Sequence, residues 1–308
     1  LRDGFRLASL DDLRRSPVSS GCIEGAIAAP LDRHLSSAHP VASIIRHAAR
    51  VLGQRPADQM RAPVLVRGTL EEAIEAICET VADESSASCG PVSGVLPVDL
   101  AKALAPILFA IRDGLAVRFA RDHDLAPPHD RTFWHLHGGG GLLPSKATDN
   151  FNVAWEPDRR YLLGGRERLQ DAAALVAFAV ESVDWRAFRG RVGIRFDVET
   201  PAGWIRVRDG ASEAHPDDGD VLLFLDLGGD DVHLHSAGGN ESGMNAVSVA
   251  IDLSGRDRYG YEGSSARTSR ILPADRDGRM AADGERFGAV SLSNRSRQGG
   301  ARNGIALL

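Results

Sequence analysis

The fold is decided by residues 225–235, LDLGGDDVHLH, which return 26 positions later as residues 251–261, IDLSGRDRYGY. In each copy an apolar run reaches an Asp, a turn containing glycine follows, and a second Asp precedes an aromatic or imidazole ring. A strand, a tight turn and a second strand at a fixed period are typical of stacked β architectures, in which each copy buries its apolar face against its neighbour. The repeat therefore predicts a parallel β-helix in the C-terminal part of the chain.

The same two copies carry a resemblance to known proteins. Residues Asp226 to His233 and Asp252 to Tyr259 match the pattern Asp-x-Gly-Gly-x-Asp-x-Tyr, with residues 297–308 as a weaker third match. The pattern resembles that of a group of bacterial repeat proteins that look like right-handed parallel β-solenoids. The resemblance covers about the last 90 residues and departs at Ser254, which replaces a glycine, and at His233, which replaces the tyrosine. It implies an architecture and no activity.

The last residues of the chain, 303–308, look like the front half of a further repeat without its Asp and its glycine turn. An apolar strand without a neighbour leaves an open sheet edge that can pair with another chain. The pattern therefore predicts a solenoid that is truncated at the C-terminus. We expect a partner polypeptide or a missing C-terminal segment to complete it.

The first 190 residues read mainly as helix. Thr69 and Glu72 form a capping box, and the apolar residues that follow it have helical spacing. Further helices are predicted over 97–121, where Pro106 should introduce a kink, over 166–188, and over 42–52. The apolar stripe of the 97–121 helix consists of Leu100, Leu104, Ile107, Leu108, Ile111 and Leu115.

After residue 190 the apolar period changes to two, which predicts a β-hairpin with strands at 192–198 and 204–208. The predicted fold class is therefore α+β with two domains. Residues 1–190 form a mainly α-helical domain with a long loop, 122–152, that is rich in glycine and histidine. Residues 191–308 form the hairpin and the β-solenoid repeats.

Composition limits the partners. The 308 residues are 43% hydrophobic and carry a net charge of −6, so we expect no nucleic acid partner. No apolar run is long enough for a membrane span. The chain begins at Leu1 rather than Met, which suggests either a processed precursor or a trimmed sequence. The location we expect is outside the cytoplasm, periplasmic or extracellular. The three cysteines, Cys22, Cys78 and Cys89, allow one disulfide between Cys89 and Cys22 or three free thiols.

Two His-Leu-His segments suggest a metal site. On a strand, residues i and i+2 point to the same face, so each segment can offer two imidazoles to one ion. Imidazole suits zinc and copper. The candidate ligands are His135, His137, His233, His235 and Asp231. In the alternative interpretation, the first pair lies in a partly exposed loop and the second pair fills ring positions of the β-solenoid.

Several aspartates lie at the turns of the repeats, and they also have two interpretations. Carboxylates with glycines at a fixed period are similar to those of calcium-binding β-roll proteins, although the spacing differs. Alternatively, an Asp before a glycine caps its own turn by accepting a backbone N–H. The cofactor prediction is thus a divalent metal, which is zinc, copper or calcium, or none.

Three function classes follow from the sequence. The leading one is an exported or surface-associated β-solenoid module with a binding or structural role, holding a partner chain or a polysaccharide. The second is a zinc- or copper-dependent enzyme that uses the paired His-x-His segments, with Asp226 or Asp231 as a further ligand. The third is a carbohydrate-active β-helix enzyme with Asp231, Asp257 and Arg258 in its site.

Overall fold

The computed structural model describes residues 31–51, 63–82, 88–118, 166–216, 219–235, 238–239, 245–259 and 305–307. Helices and strands both occur in these ranges, so the α+β class is confirmed. The helices are α1 (Pro40–Val51), α2 (Leu70–Ala82), α3 (Val98–Arg118) and α4 (Arg166–Glu181). None of these described helices is both long enough and apolar enough to cross a membrane.

The helices form where the sequence signals place them. At the start of α2 the Thr69 N–H donates to Glu72 Oε2 at 2.8 Å, and the Glu72 N–H donates to Thr69 Oγ1 at 3.1 Å, which confirms the capping box. The six apolar stripe residues of α3 are fully buried. The helix predicted to reach residue 188 ends at Glu181, because Asp184 caps a separate 3-10 turn at Trp185–Ala187.

The strands form two sheets. The larger sheet has the order β1-β2-β3-β5-β7-β9, and the smaller sheet has the order β4-β6-β8. Their bounds are β1 Ser93–Gly94, β2 Phe196–Thr200, β3 Gly203–Arg208, β4 Ala214–His215, β5 Val221–Asp226, β6 Val232–His233, β7 Val247–Asp252, β8 Arg258–Tyr259 and β9 Ile305–Leu307.

The predicted hairpin is present as β2 and β3, which pair antiparallel. Its first strand begins at Phe196 rather than at residue 192, after Gly193, whose φ of 75° interrupts an extended strand. From β3 onward every pairing is parallel: β5 lies on β3, β7 on β5 and β9 on β7. The pairings of the smaller sheet are parallel as well.

The chain alternates between the two sheets from β3 to β8. We call β3 with β4 unit 1 (203–215), β5 with β6 unit 2 (221–233), and β7 with β8 unit 3 (247–259). Arg208, Asp226 and Asp252 pair in register at the end of the long strands. His215, His233 and Tyr259 pair in register on the short strands.

One cluster of buried apolar side chains includes residues from the helices and from the larger sheet. Leu108 and Ile111 of α3 belong to it, together with Leu223 and Leu225 of β5 and Val249 of β7. All six residues of β5 are buried, because one face of this strand lies against the apolar core and the other faces the smaller sheet. The layer between the two sheets holds the polar side chains.

The cysteine prediction is wrong in its pairing. A disulfide joins Cys78 of α2 to Cys89, a separation of 11 residues. Cys89 lies beside β2, where the neighbouring Gly90 N–H donates to the Glu199 carbonyl at 2.8 Å. This contact brings Cys89 back against α2, which the sequence pattern did not show. Cys22 lies outside the described residues.

Candidate metal centre

Five polar residues are buried between the two sheets, and we call them the inter-sheet cluster. Their exposed fractions are 4% for His215, 1% for Asp226, and 2% each for Asp231, His233 and His235. The register of the strands brings them together, since His215 and His233 are neighbours on the smaller sheet while Asp226 ends a strand of the larger one. Residues from units 1 and 2 thus share one interior site.

The turns of unit 2 orient the carboxylates. Asp226 Oδ1 accepts the N–H of Gly228 at 2.9 Å, and Asp252 Oδ1 in unit 3 accepts the N–H of Ser254 at 3.1 Å. The prediction that these aspartates cap their own turns is confirmed. Asp231 Oδ1 accepts the N–H of Glu213 in unit 1 at 2.6 Å. These bonds engage the Oδ1 atoms of both cluster aspartates.

The remaining atoms of the cluster face one another. His215 Nε2 lies 3.5 Å from Asp226 Oδ2 and 3.4 Å from Asp231 Oδ1. His233 Nε2 lies 3.8 Å from Asp226 Oδ2. Among the described residues, His215 Nε2, Asp226 Oδ2 and Asp231 Oδ2 are buried and take part in no hydrogen bond. Buried polar atoms are normally hydrogen-bonded, so these three need an explanation.

The separations fit a metal better than hydrogen bonds. Nitrogen–oxygen hydrogen bonds are ~2.7–3.2 Å long, and all three separations exceed that range. Ligand atoms at ~2.1 Å from a tetrahedral ion stand about 3.4 Å from one another, which is close to the observed separations. Ligand atoms of His215, Asp226 and His233 all lie within 4.8 Å of one another. The residues present therefore fit a divalent ion.

The electrostatics of the cluster are those of a buried, water-poor site. Burial raises the pKa of Asp231, and the nearby charge of Asp226 raises it further. Burial lowers the pKa of His233, with a smaller contribution from His215, and lowers the pKa of His235 to about 3. Each of these pKa shifts favours the uncharged form of a buried group. The uncharged imidazole is also the form of histidine that binds a metal.

Aromatic contacts hold the imidazole rings in place. The His215 and His233 rings stack with centroids 5.0 Å apart and an interplanar angle of 29°. Phe224 of β5 contacts the His235 ring at 4.4 Å and the His215 ring at 5.0 Å between centroids. Rings packed in this way present their nitrogens in fixed directions, which lowers the entropy cost of binding an ion.

A second group of ligand-type residues lies one unit further along. Ligand atoms of His233, Asp252 and Asp257 also lie within 4.8 Å of one another. Here Asp252 is exposed and Asp257 is half-buried. Asp257 Oδ1 accepts the N–H of Asp231 at 2.8 Å. His233 thus lies within reach of both groups.

The structure gives different answers for the residues that the sequence suggested as ligands. Asp231, His233 and His235 lie together in the inter-sheet cluster, with the nearest ring nitrogens of the two histidines 3.4 Å apart. His135 and His137 lie outside the described residues, so their meeting with the second pair stays a prediction. The alternative interpretation places the second pair in ring positions parallel to Tyr259 and Tyr261. His233 does pair in register with Tyr259, whereas Tyr261 lies outside the described residues.

His215 was missed by the sequence analysis, and Asp226 was named only as an alternative ligand. Residues 208–215, RDGASEAH, form a degenerate first copy of the repeat, with an acid at the sixth position and a ring at the eighth. This copy precedes the second by 18 residues instead of 26, as the Glu213–Asp231 contact shows. An acid-x-ring pattern sought without a fixed period would have found it.

Comparison with known proteins finds no relative. No family model, no curated protein and no solved structure matches the chain. The resemblance to Asp-x-Gly-Gly-x-Asp-x-Tyr repeat proteins therefore stays a prediction, and any function for this protein has to be argued from the cluster itself.

Proposed function

We propose that strands β3 to β9 form a parallel β-solenoid module whose successive units are joined by a buried divalent metal ion. His215, Asp226 and His233 are its ligands, and Asp231 supports them. The observation that carries the proposal is the set of separations of 3.4 to 3.8 Å among buried ring nitrogens and carboxylate oxygens. Strands β3 to β8 alternate between the two sheets and pair parallel with one another within each sheet, which supports the solenoid architecture.

Charge balance supports an ion at this place. Two carboxylates buried side by side cost several kcal/mol each unless a cation accompanies them. The guanidinium group of Arg208 lies 2.6 Å from Asp197, which is a different carboxylate. A divalent ion between two neutral imidazoles and two carboxylates leaves the group without net charge.

The ligand types favour a first-row transition metal over calcium. Calcium takes six to eight oxygen ligands, whereas mixed imidazole and carboxylate sites suit zinc and its neighbours. We therefore assign zinc as the preferred ion, and calcium serves as the negative control. This choice narrows the zinc, copper or calcium prediction made from the sequence.

The burial of the cluster favours a structural role over catalysis. Catalytic zinc sites keep one coordination position open to water or substrate. The three ligands of this site have exposed fractions of at most 4%, so among the described residues they lie away from the surface, where a substrate would have to reach them. A buried Asp231 likewise gives a polysaccharide no access, which weighs against the carbohydrate-active alternative.

The proposal is tested by measuring both the metal content and the thermal stability of the protein. Protein purified without chelator is measured by elemental mass spectrometry, and chelator-treated protein is melted with and without zinc. We expect at least one zinc per chain, and about 2.7 kcal/mol of added stability when free zinc is at 100 times its dissociation constant. Calcium at the same concentration should add little.

Two variants locate the ion, and one controls for histidine loss. Asp226→Asn keeps the oxygen that accepts the Gly228 N–H and removes the charge. His215→Gln removes a ring nitrogen. Both should lose zinc, whereas His47→Gln, a histidine in α1, should keep it. A folded wild-type protein that neither contains zinc nor gains stability from it would overturn the proposal.

A further inference from the structure

Equivalent positions of successive units stand in the same relation to one another. The Glu213 N–H of unit 1 donates to Asp231 Oδ1 of unit 2, and the Asp231 N–H donates in turn to Asp257 Oδ1 of unit 3. Asp226 pairs with Asp252 in the larger sheet, and His215 pairs with His233 in the smaller one. One step along the stack therefore converts His215, Asp226 and Asp231 into His233, Asp252 and Asp257.

The second set of residues has its own ligand geometry. A carboxylate oxygen of Asp252 and one of Asp257 lie within 4.8 Å of each other. Two negative charges this close repel each other, and a cation between them removes the repulsion. The nearby His233 nitrogen supplies a third ligand atom within 4.8 Å.

We propose that the repeat forms one divalent cation site at each interface between units, so that His233, Asp252 and Asp257 bind a second ion. This inference rests on the proposed function, since two of the ligand positions, the ring of the preceding unit and the first Asp of the repeat, are those of the first site moved by one unit. The two ring nitrogens of a histidine can both bind an ion only after the ring proton is lost, so on binding the second ion His233 releases that proton to water and bridges the two ions as an imidazolate. The two sites thus share a ring from the preceding unit and the Asp at the first position of the repeat. The third ligand is His233 in the first site and the Asp at the sixth position, Asp257, in the second.

The two sites differ in their access to water. The ligands of the first site are buried, whereas Asp252 is exposed and Asp257 is half-buried. Water therefore completes the coordination of the second ion, and chelators reach it directly. We expect the second ion to bind more weakly and to exchange faster than the first.

Arg208 ends the series on the side of unit 1. It occupies the strand position that Asp226 and Asp252 occupy in the later units. Its Nη2 lies 2.6 Å from Asp197 Oδ1, so a guanidinium supplies the positive charge there. An arginine at the first position of the repeat replaces the carboxylate ligand. We therefore expect no ion between unit 1 and its neighbour on the other side, β2.

The experiment counts ions in the full chain after chelator treatment and readdition of zinc. Calorimetric titration with zinc should give two equivalents in two affinity classes for the wild type. A brief wash with EDTA should remove one equivalent and leave the other, as measured by elemental mass spectrometry.

Conservative variants assign each equivalent. The double variant Asp252→Asn/Asp257→Asn keeps the oxygens that accept backbone N–H groups, and it should lose only the weak equivalent. Asp226→Asn should lose the tight one. Asp230→Asn is the matched control, because Asp230 is an exposed turn carboxylate of unit 2 outside both sites, and it should keep both. Circular dichroism shows whether each variant is folded.

The outcomes separate the two proposals. If the wild type binds one equivalent and the double variant still binds it, the second site is wrong while the buried site stands. If the folded wild type binds none, both proposals fail. The series of sites is supported if the wild type binds two equivalents of zinc, the double variant loses the weakly bound one, and Asp226→Asn loses the tightly bound one.

Discussion

Asp231 donates its backbone N–H to the side chain of Asp257, 26 residues further along the chain, at 2.8 Å. The same Asp231 accepts the N–H of Glu213, 18 residues earlier, at 2.6 Å. Each sixth-position acid therefore fixes its own unit to the preceding one. The chain uses these side chains in addition to the parallel strand pairing to hold the units in register.

The first prediction concerns this contact. In chelator-treated protein, Asp257→Ala should lower the free energy of unfolding by about 1–2 kcal/mol, because the Asp231 N–H loses its acceptor. Asp257→Asn keeps an acceptor oxygen and should cost little. Urea denaturation measures both. Equal losses in the two variants would mean that the charge, rather than the hydrogen bond, matters at this position.

Gly255 supports the close stacking of units 2 and 3. A Cβ at this position would overlap the carbonyl oxygen of Gly229. The backbone cannot shift as easily as a side chain to relieve the overlap. Gly255→Ala should therefore lower the free energy of unfolding, measured by heat or urea, by about 2 kcal/mol or more. Gly193→Ala is the control, since a Cβ there meets no atom within 4 Å. Gly193→Ala should lower the free energy of unfolding by less than Gly255→Ala does. A larger loss for Gly193→Ala would contradict the close stacking of units 2 and 3.

The acid sensitivity of the protein should depend on His235. Its pKa is lowered to about 3 by burial, while an unfolded histidine titrates near 6.5. Between these values the unfolded state binds the extra proton, so stability falls as the pH falls below 6.5. In metal-free protein this residue should account for about 2 kcal/mol lost between pH 7 and pH 5.

Comparison with His235→Gln isolates this effect from the carboxylates. The raised pKa values of Asp231 and Asp257 act with the opposite sign, since the stability they contribute is full below their unfolded pKa and is lost as the pH rises through the folded one. Both proteins contain these residues. Urea denaturation at several pH values should show the wild type losing more stability than the variant in acid, and parallel profiles would contradict the prediction.

The disulfide gives a prediction that separates the three cysteines. Closing a loop between residues 11 apart stabilises a fold by about 3 kcal/mol in the chain-entropy model. Cys78→Ser/Cys89→Ser should therefore melt at a lower temperature than the oxidised wild type, while Cys22→Ser should keep the bridge. A peptide map without reductant that joins Cys22 to either of the other cysteines would contradict this pairing.

Local patterns in the sequence were sufficient for the elements. The capping box at Thr69 needs only four consecutive residues, and the buried stripe of α3 needs only its own spacing. The turn caps at Asp226 and Asp252 act within two residues. In each case the interacting groups are close along the chain, so the residue types alone specify the geometry.

The sequence by itself thus determined the helices, the hairpin and the turns of the repeat, and it named His233, His235 and Asp231 as candidate ligands. Only the tertiary structure decided that His215 and Asp226 meet them and that Cys78 pairs with Cys89. The physical reason is that strand register, not sequence spacing, brings these side chains together. Equivalent positions are 18 residues apart between units 1 and 2 and 26 residues apart between units 2 and 3, because the connecting loops differ in length. Backbone pairing between the strands nevertheless keeps the units in register.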